Sequence, residues 1–149
     1  MNNSFQNLTT TQLGEAAEKM LINEFILGKG FQPFIPSFNG SHYIDCAAMS
    51  STGVTFYMDC KAKSRRMYYA DTGIDLADYN HYMEMNAPTY ILFADLVQGT
   101  VYGGWLQKFS TKIEKNIIYF PLSEMIPYRN LTDIEKATLK QYEQSKYYK

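Results

Sequence analysis

Asp59 and Lys61 stand two residues apart in the run "TFYMDCKAK", residues 55–63. Side chains alternate between the two faces of a strand, so an extended run places this acid and this base on the same face. The alternate positions are apolar and form a predicted core face: Val54, Phe56, Met58, Cys60 and Ala62. A carboxylate can hold a hard cation, and an ammonium group can stabilise a developing negative charge. The pattern therefore predicts a strand with one structural face and one chemical face.

A second carboxylate, Asp45, lies in the preceding run "HYIDCAAM". The two runs flank "SSTG", which predicts a β-hairpin with a turn near residues 50–53. With the turn centred between residues 51 and 52, Asp45 lies opposite the region of residues 58 and 59. An adjustment of one residue places Asp45 and Asp59 on one face, with Cβ atoms roughly 4.5–5.5 Å apart if they pair directly. Two carboxylates at that distance need a shared proton or a cation between them, and Mg²⁺ suits an all-oxygen site.

The segment before the hairpin is predicted to be a helix that carries two further acids. It runs from Thr11 to the glycines at positions 28 and 30, because its apolar residues repeat at helical spacing. These residues form one arc: Leu13, Ala16, Ala17, Met20, Leu21 and Phe25. Glu18 falls at the edge of the arc, and Glu15 lies further towards solvent. Glu18 therefore lies closer to the predicted core than Glu15 does.

The remaining elements predict an α/β fold. Prolines 33 and 36 make the segment after the first helix an edge strand or an extended entry to the sheet, and residues 64–73 are predicted to be a loop. Asp75 is the predicted N-cap of a middle helix in "DLADYNHYMEM". Further strands are predicted in "TYILFADL", "GTVYGGWLQKF" and "NIIYFPLSEM". A closing helix over residues 132–149 begins at a capping box of Thr132 and Glu135. The predicted apolar face of that helix consists of Ile134, Leu139 and Tyr142.

The sequence resembles the PD-(D/E)xK nuclease superfamily, also called the restriction-endonuclease-like fold. The resemblance lies in the order of three features: a helix that carries Glu, a first acid on a strand, and an Asp-x-Lys motif on the paired strand. The matching motifs are "GEAAEKML" with Glu18, "YID" with Asp45 and "DCK" with Asp59 and Lys61. Ile44 stands where many members have proline, and Asp59 stands where Glu is commoner. The implied fold is α/β, with an αβββαβ core and a mixed central sheet flanked by helices. The chain is most similar to small single-domain members, such as Holliday junction resolvases and phage- or intron-encoded endonucleases.

The resemblance implies metal-dependent hydrolysis of DNA phosphodiester bonds. Asp45 and Asp59 would hold Mg²⁺, or Mn²⁺ as an alternative, with the backbone carbonyl of Cys60 as a further ligand. Glu18 would reach the metal directly or through water, and Lys61 would position or activate the attacking water. A homodimer or higher homo-oligomer is expected, because cutting both strands of a duplex needs two sites. Two alternatives stay open: a resolvase of Holliday junctions or other branched DNA, and an inactive nuclease-like module that binds DNA or protein.

A dense cation cluster, Lys63, Arg65 and Arg66, follows the Asp-x-Lys motif. It predicts contacts with DNA phosphates, and the alternative is a charged strand exit that serves solubility. The net charge is −1, so a nucleic-acid contact must come from such a local patch. Four tyrosines lie nearby in sequence: Tyr68, Tyr69, Tyr79 and Tyr82. At least two of them are expected to pack in the protein rather than stack on bases.

The composition bounds the class of protein. With 149 residues, of which 46% are hydrophobic and 19% charged, the chain is predicted to form one domain over residues 1–149, with residues 1–10 disordered. Cys46 and Cys60 are expected to be reduced, buried thiols, and His42 and His81 lack metal-ligand spacing. The sequence has no secretory signal and no apolar run of about 20 residues. These features predict a cytoplasmic protein without a membrane partner.

Overall fold

A computed structural model describes residues 10–34, 46–50 and 52–147. In chain order the elements are α1 (Thr10–Gly28), β1 (Gln32–Phe34), β2 (Cys46–Met49), β3 (Thr55–Lys63), β4 (Asp71–Asp75), α2 (Leu76–Glu84), β5 (Thr89–Asp95), β6 (Thr100–Trp105), β7 (Lys112–Glu114), β8 (Ile117–Pro121), β9 (Ile126–Asn130) and α3 (Asp133–Tyr147). Short 3₁₀ turns follow β6 and β8.

The main sheet has six strands in the order β1-β2-β3-β5-β6-β9. Strands β3 and β5 are parallel, and the other neighbouring strands are antiparallel. The middle helix α2 provides the crossover that a parallel pair requires. The predicted α/β fold with a mixed central sheet is therefore confirmed, and β1 lies at the sheet edge as its proline predicted.

Each face of the main sheet is covered by its own hydrophobic core. Core 1 packs α1 and α3 on one face and includes Ile26, Met58 and Leu139. Core 2 packs α2 and a second, three-stranded sheet of order β4-β8-β7 on the other face, and it includes Tyr82 and Phe120. Burying both faces of the sheet explains why the run "TYILFAD" of β5 is apolar without alternation. Strand β3 lies between the two cores, so its side chains are positioned from both faces.

The β2–β3 hairpin is antiparallel, and its register differs by half a position from the predicted one. Met49 pairs with Thr55 and Cys46 pairs with Met58, so the turn centres on Thr52 and not half a position earlier. Gly53 accommodates this turn with φ of 83°, a conformation that costs glycine little. The alternation of β3 is confirmed from Phe56 onwards, whereas Val54 is 54% exposed because it precedes the strand.

Three strands were not predicted from the sequence. Strand β4 lies in the segment predicted to be a loop, and β7 and β9 were missed entirely. The sequence of β4, "DTGID", has weak strand propensity, and its pairing with β8 overrides that preference. Gly73 is required there, because a Cβ atom would lie 2.6 Å from the carbonyl oxygen of Ile118.

The helices follow their predicted positions with local differences. The capping box of α3 is confirmed: Glu135 accepts a hydrogen bond from the N–H of Thr132 at 2.8 Å, and Thr132 Oγ1 accepts one from the N–H of Glu135 at 3.1 Å. Asp75 occupies the N-cap of α2, although no side-chain cap hydrogen bond forms among the residues that the structure describes. Some predicted core positions are wrong, because they lie on the solvent side of their helices: Leu13, Met20 and Ile134 are 47%, 69% and 80% exposed.

Candidate active site

Strand β3 places Asp59 and Lys61 side by side, as its alternation predicted. The ammonium nitrogen of Lys61 lies 3.2 Å from Oδ2 of Asp59. Asp59 is only 3% exposed, and the side chain of Lys61 is 21% exposed. A buried carboxylate is expensive unless charged or polar groups contact it, and these two side chains satisfy each other while Lys61 keeps access to solvent.

Helix α2 supplies a further contact to the same carboxylate. The hydroxyl of Tyr82, a fully buried residue, donates a hydrogen bond to Oδ2 of Asp59. Asp78 lies one helical turn before Tyr82 on α2 and acts electrostatically on Lys61. The site is therefore built by β3 together with α2 and not by the hairpin alone.

The charge state of Lys61 follows from these neighbours. Burial, the largest single influence, lowers the pKa of Lys61. The charge of Asp59, the hydrogen bond to Asp59 and the charges of Asp78 and Glu18 together outweigh burial and raise the pKa above its ordinary value. Lys61 is therefore an ammonium group at neutral pH. In that state it can donate hydrogen bonds and attract anions, but it cannot accept a proton.

Glu18 reaches β3 from the opposite face. It is 7% exposed, and its Oε2 accepts a hydrogen bond of 2.8 Å from the N–H of Ala62. Glu15 is exposed, so the geometry favours Glu18 of the two candidates. Two residues further along the chain, the N–H of Ser64 donates a hydrogen bond to the carboxylate of Glu143 on α3. The same carboxylate accepts a hydrogen bond of 2.9 Å from the hydroxyl of Ser64.

The backbone carbonyl of Cys60 points to the same edge of β3 as the N–H groups that bind Glu18 and Glu143. Tyr57 donates its N–H to the carbonyl of Pro88, so odd-numbered residues of β3 direct their backbone groups towards β5. Because these groups alternate along a strand, the carbonyl of Cys60 points to the β2 side. Its thiol is buried in core 1, as predicted.

Asp45, the remaining predicted ligand, lies outside the described residues, as does His42. Within residues 10–34, 46–50 and 52–147, no three His, Cys, Asp or Glu residues cluster closely enough to hold a metal ion. The donor chemistry of Glu18, Asp59 and the Cys60 carbonyl is all oxygen and suits a hard divalent cation. The described residues do not form a complete ligand set by themselves, and the metal-binding role of Asp45 stays a prediction.

The predicted DNA-binding cations have partners within the protein. Arg65 contacts Asp95 with 2.6 Å between Nη2 and Oδ2, and Lys63 donates to the carbonyl of Gly73 at 2.9 Å. Arg66 forms ion pairs with two carboxylates, Asp71 and Glu114. Its guanidinium also stacks on the rings of Tyr69 and Tyr119, at 4.3 and 3.7 Å from their centroids. The cluster is thus fixed in place, and its role in DNA binding stays a prediction.

Sequence reasoning missed the roles of Tyr82, Asp78 and Glu143. Asp78 and Tyr82 are four positions apart, which puts them on one helix face, and this spacing was the available signal. Of the four tyrosines singled out, Tyr82 is buried and Tyr79 packs against Phe120, whereas Tyr68 and Tyr69 are 84% and 54% exposed. The expectation that at least two would pack is confirmed.

The architecture of the described residues is a mixed α/β fold with a mixed central sheet and three helices, and it is consistent with the fold of a solved Holliday junction resolvase. The chain is similar to the solved structure of Archaeoglobus fulgidus Hjc, a Holliday junction resolvase from an archaeal hyperthermophile. The TM-score is 0.54 at 11% sequence identity, and the match covers 83% of this chain and 98% of that chain. No protein-family model matches the sequence, and no curated protein matches it either. Within the described ranges, no helix is both long and apolar enough to cross a membrane.

Proposed function

We propose that the protein is a metal-dependent DNA nuclease that acts at the Asp59–Lys61 end of β3. The observation that carries the proposal is a buried carboxylate 3.2 Å from the ammonium nitrogen of a partly exposed lysine, with a second buried carboxylate from α1 bound to the same strand. These groups lie in a fold shared with a Holliday junction resolvase.

The proposed cation is Mg²⁺, with Mn²⁺ as an alternative, and nucleases of this fold generally use divalent metals. Asp45, Asp59 and Glu18 would hold it, with the carbonyl of Cys60 as a further ligand. When bound, the cation would supply positive charge at the scissile phosphate and favour hydroxide formation from water.

The chain's own groups would divide the remaining work. Lys61 would orient the attacking water by donating hydrogen bonds and would stabilise negative charge that develops on the phosphate. Its raised pKa favours this role over acceptance of a proton. Asp59 would keep the ammonium of Lys61 in place, and Glu18 would approach from the other face of the strand.

Branched DNA is the substrate class that we favour within this proposal, because the solved structure similar to this chain is that of a Holliday junction resolvase. Symmetric cutting of a junction needs two sites, so the proposal includes a homodimer. Lys63, Arg65 and Arg66 are the proposed contacts to phosphates.

The test compares a four-way junction with a linear duplex and a supercoiled plasmid, each with Mg²⁺, Mn²⁺ or EDTA. Asp59→Asn removes the charge but keeps an oxygen that can accept from Tyr82. Asp75→Asn is the matched control, because Asp75 is exposed at the start of α2. Metal-dependent cutting that is lost only with Asp59→Asn supports the proposal. Cutting that survives this substitution refutes the site, and tight junction binding without cutting favours the inactive binding module.

A further inference from the structure

Helix α1 presents an apolar row, the α1 stripe, on the side that faces away from core 1. From Leu13 onwards, every exposed apolar side chain of the helix belongs to this stripe, which consists of Leu13, Ala16, Met20 and Leu27. The three large side chains, those of Leu13, Met20 and Leu27, are 47%, 69% and 71% exposed. A single exposed apolar residue needs no explanation, but an exposed row along one helix is typical of an interaction surface.

The α1 stripe has the spacing of a coiled-coil seam. Its large residues Leu13, Met20 and Leu27 recur every seventh position, and Ala16 and Asn23 follow the first two of them by three positions. These residues occupy the a and d positions of two heptads and the start of a third. An isolated helix of this length forms poorly in water because its nucleation is costly. Helix α1 is already held by core 1, so pairing along the stripe requires no further helix formation.

The polar residues in and beside the stripe fit a second copy of the chain in parallel orientation. In a parallel pair each seam residue faces its own equivalent, so the amides of the two Asn23 side chains meet and can hydrogen-bond to each other. Lys19 occupies a g position and Glu24 the following e position, which a parallel pair brings together between copies. An antiparallel pair would bring g positions together, and no g position of α1 is acidic. Glu24 also contacts Arg129, but 49% of its side chain is exposed.

We infer that the α1 stripe is a dimer interface at which two copies of this chain pair their first helices in parallel. The inference rests on the proposed function only in that it supplies a surface for the homodimer included there. The residues by which α1 joins core 1, among them Leu21, Ile22 and Phe25, lie on the other side of the helix, so pairing leaves the fold of each copy unchanged. A seam of two heptads is small beside a standard interface of roughly 1,600 Å², so we expect a dissociation constant in the micromolar range.

The first test measures association by sedimentation equilibrium, without DNA or metal. Met20→Glu places a charge in the middle of the seam and should weaken the dimer at least about tenfold. Asn23→Leu should tighten it about tenfold, because a polar residue in the seam costs stability. Glu15→Gln, at an exposed position of α1 outside the seam, is the matched control and should associate like the wild type. A monomer far above micromolar concentration, or a dimer that neither seam substitution alters, would overturn the inference.

Disulfide cross-linking tests the orientation of the pair. Leu13→Cys should form a disulfide between copies, because position 13 faces its own equivalent in a parallel seam. In an antiparallel pair the two positions 13 would lie at opposite ends of the stripe, roughly 20 Å apart at 1.5 Å per residue. Glu15→Cys is the control for random collision, and the wild type, with its own two cysteines, is the blank. A dimer in which Leu13→Cys cross-links no better than Glu15→Cys would contradict the parallel pairing.

The failure of this inference is distinguishable from the failure of the nuclease, because the association measurements need neither DNA nor a cation. If the dimer depends on the α1 stripe and no DNA is cut, the inference stands and the nuclease fails. If metal-dependent cutting persists while the seam substitutions leave association unchanged, the nuclease stands and its dimer interface lies elsewhere.

Discussion

The dual position of Glu18 allows its structural and catalytic contributions to be separated. Its carboxylate accepts a 2.8 Å hydrogen bond from the buried N–H of Ala62. Glu18→Gln keeps an oxygen for this N–H but removes the charge, whereas Glu18→Ala removes the acceptor. If Glu18 is a metal ligand, both substitutions should weaken metal binding to a similar extent. If Glu18 only accepts the hydrogen bond from the N–H of Ala62, Glu18→Ala should destabilise the fold more than Glu18→Gln does.

The expected magnitudes follow from this geometry. Hydrogen bonds to charged groups contribute about 1.5–3 kcal/mol and neutral ones about 0.5–1.5 kcal/mol, so Glu18→Gln should lower the free energy of unfolding by about 1 kcal/mol. Glu18→Ala leaves a buried donor without its carboxylate and should cost about 1–3 kcal/mol. If Glu18 serves the cation, both substitutions should raise the half-maximal Mg²⁺ concentration for DNA cutting by at least about tenfold.

The assay combines unfolding with metal-dependent cutting. Urea unfolding can be followed by the fluorescence of Trp105, the single tryptophan, which packs edge-on against Phe56 and Tyr90. Glu15→Gln, on the exposed side of α1, is the control and should match the wild type in both measurements. If Glu18→Gln cuts DNA at the same Mg²⁺ concentration as the wild type, a catalytic role is refuted. Glu18 would then serve only to accept the hydrogen bond from the N–H of Ala62.

Two further predictions concern stability and DNA binding. The hydrogen bond with Arg129 is the main reason that the pKa of Glu135 is lowered from 4.5 to about 2. The contribution of the Glu135 carboxylate to the stability of the fold is therefore fully present above pH 4.5 and is lost as the pH falls towards 2. Because a quarter of the Glu135 side chain is exposed, Glu135→Gln should cost about 0.2–1 kcal/mol in urea unfolding at pH 7 and less than half of that at pH 3. An equal cost at both pH values would contradict this assignment. For the cation cluster, Arg66→Ala should reduce the slope of log binding constant against log salt by about one for junction DNA, whereas a lower unfolding midpoint with an unchanged slope would assign Arg66 to the fold alone.

The predicted parts of the site are those encoded by local periodicity. The alternation of β3 placed Asp59 and Lys61 on one face, and the helical spacing of α1 distinguished Glu18 from Glu15. Both signals depend on residues close in sequence, because the period of an element is a property of its own backbone. The hairpin register was ambiguous by one residue because it depends on the conformation of the turn, which the composition of "SSTG" does not specify.

The parts that sequence reasoning missed depend on contacts between distant segments. The hydroxyl of Tyr82 meets Asp59 across 23 residues, and Arg66 meets Glu114 across 48 residues. No local pattern encodes which acid a cation will reach, so the basic cluster suggested a free surface where the fold provides carboxylate partners. Strand β4 was missed for a similar reason, since its pairing with β8 exists only in the folded chain.

The carboxylates of Glu18 and Glu143 have a consequence for the solution behaviour of the protein. An uncovered strand offers a row of N–H donors to any other extended chain and is a common starting point for aggregation. Ala62 and Ser64 already donate to these side chains, which add negative charge beside the strand and lack the spacing of a second strand. The stretch of β3 at Ala62 and Ser64 is therefore a poor template for the addition of another polypeptide strand.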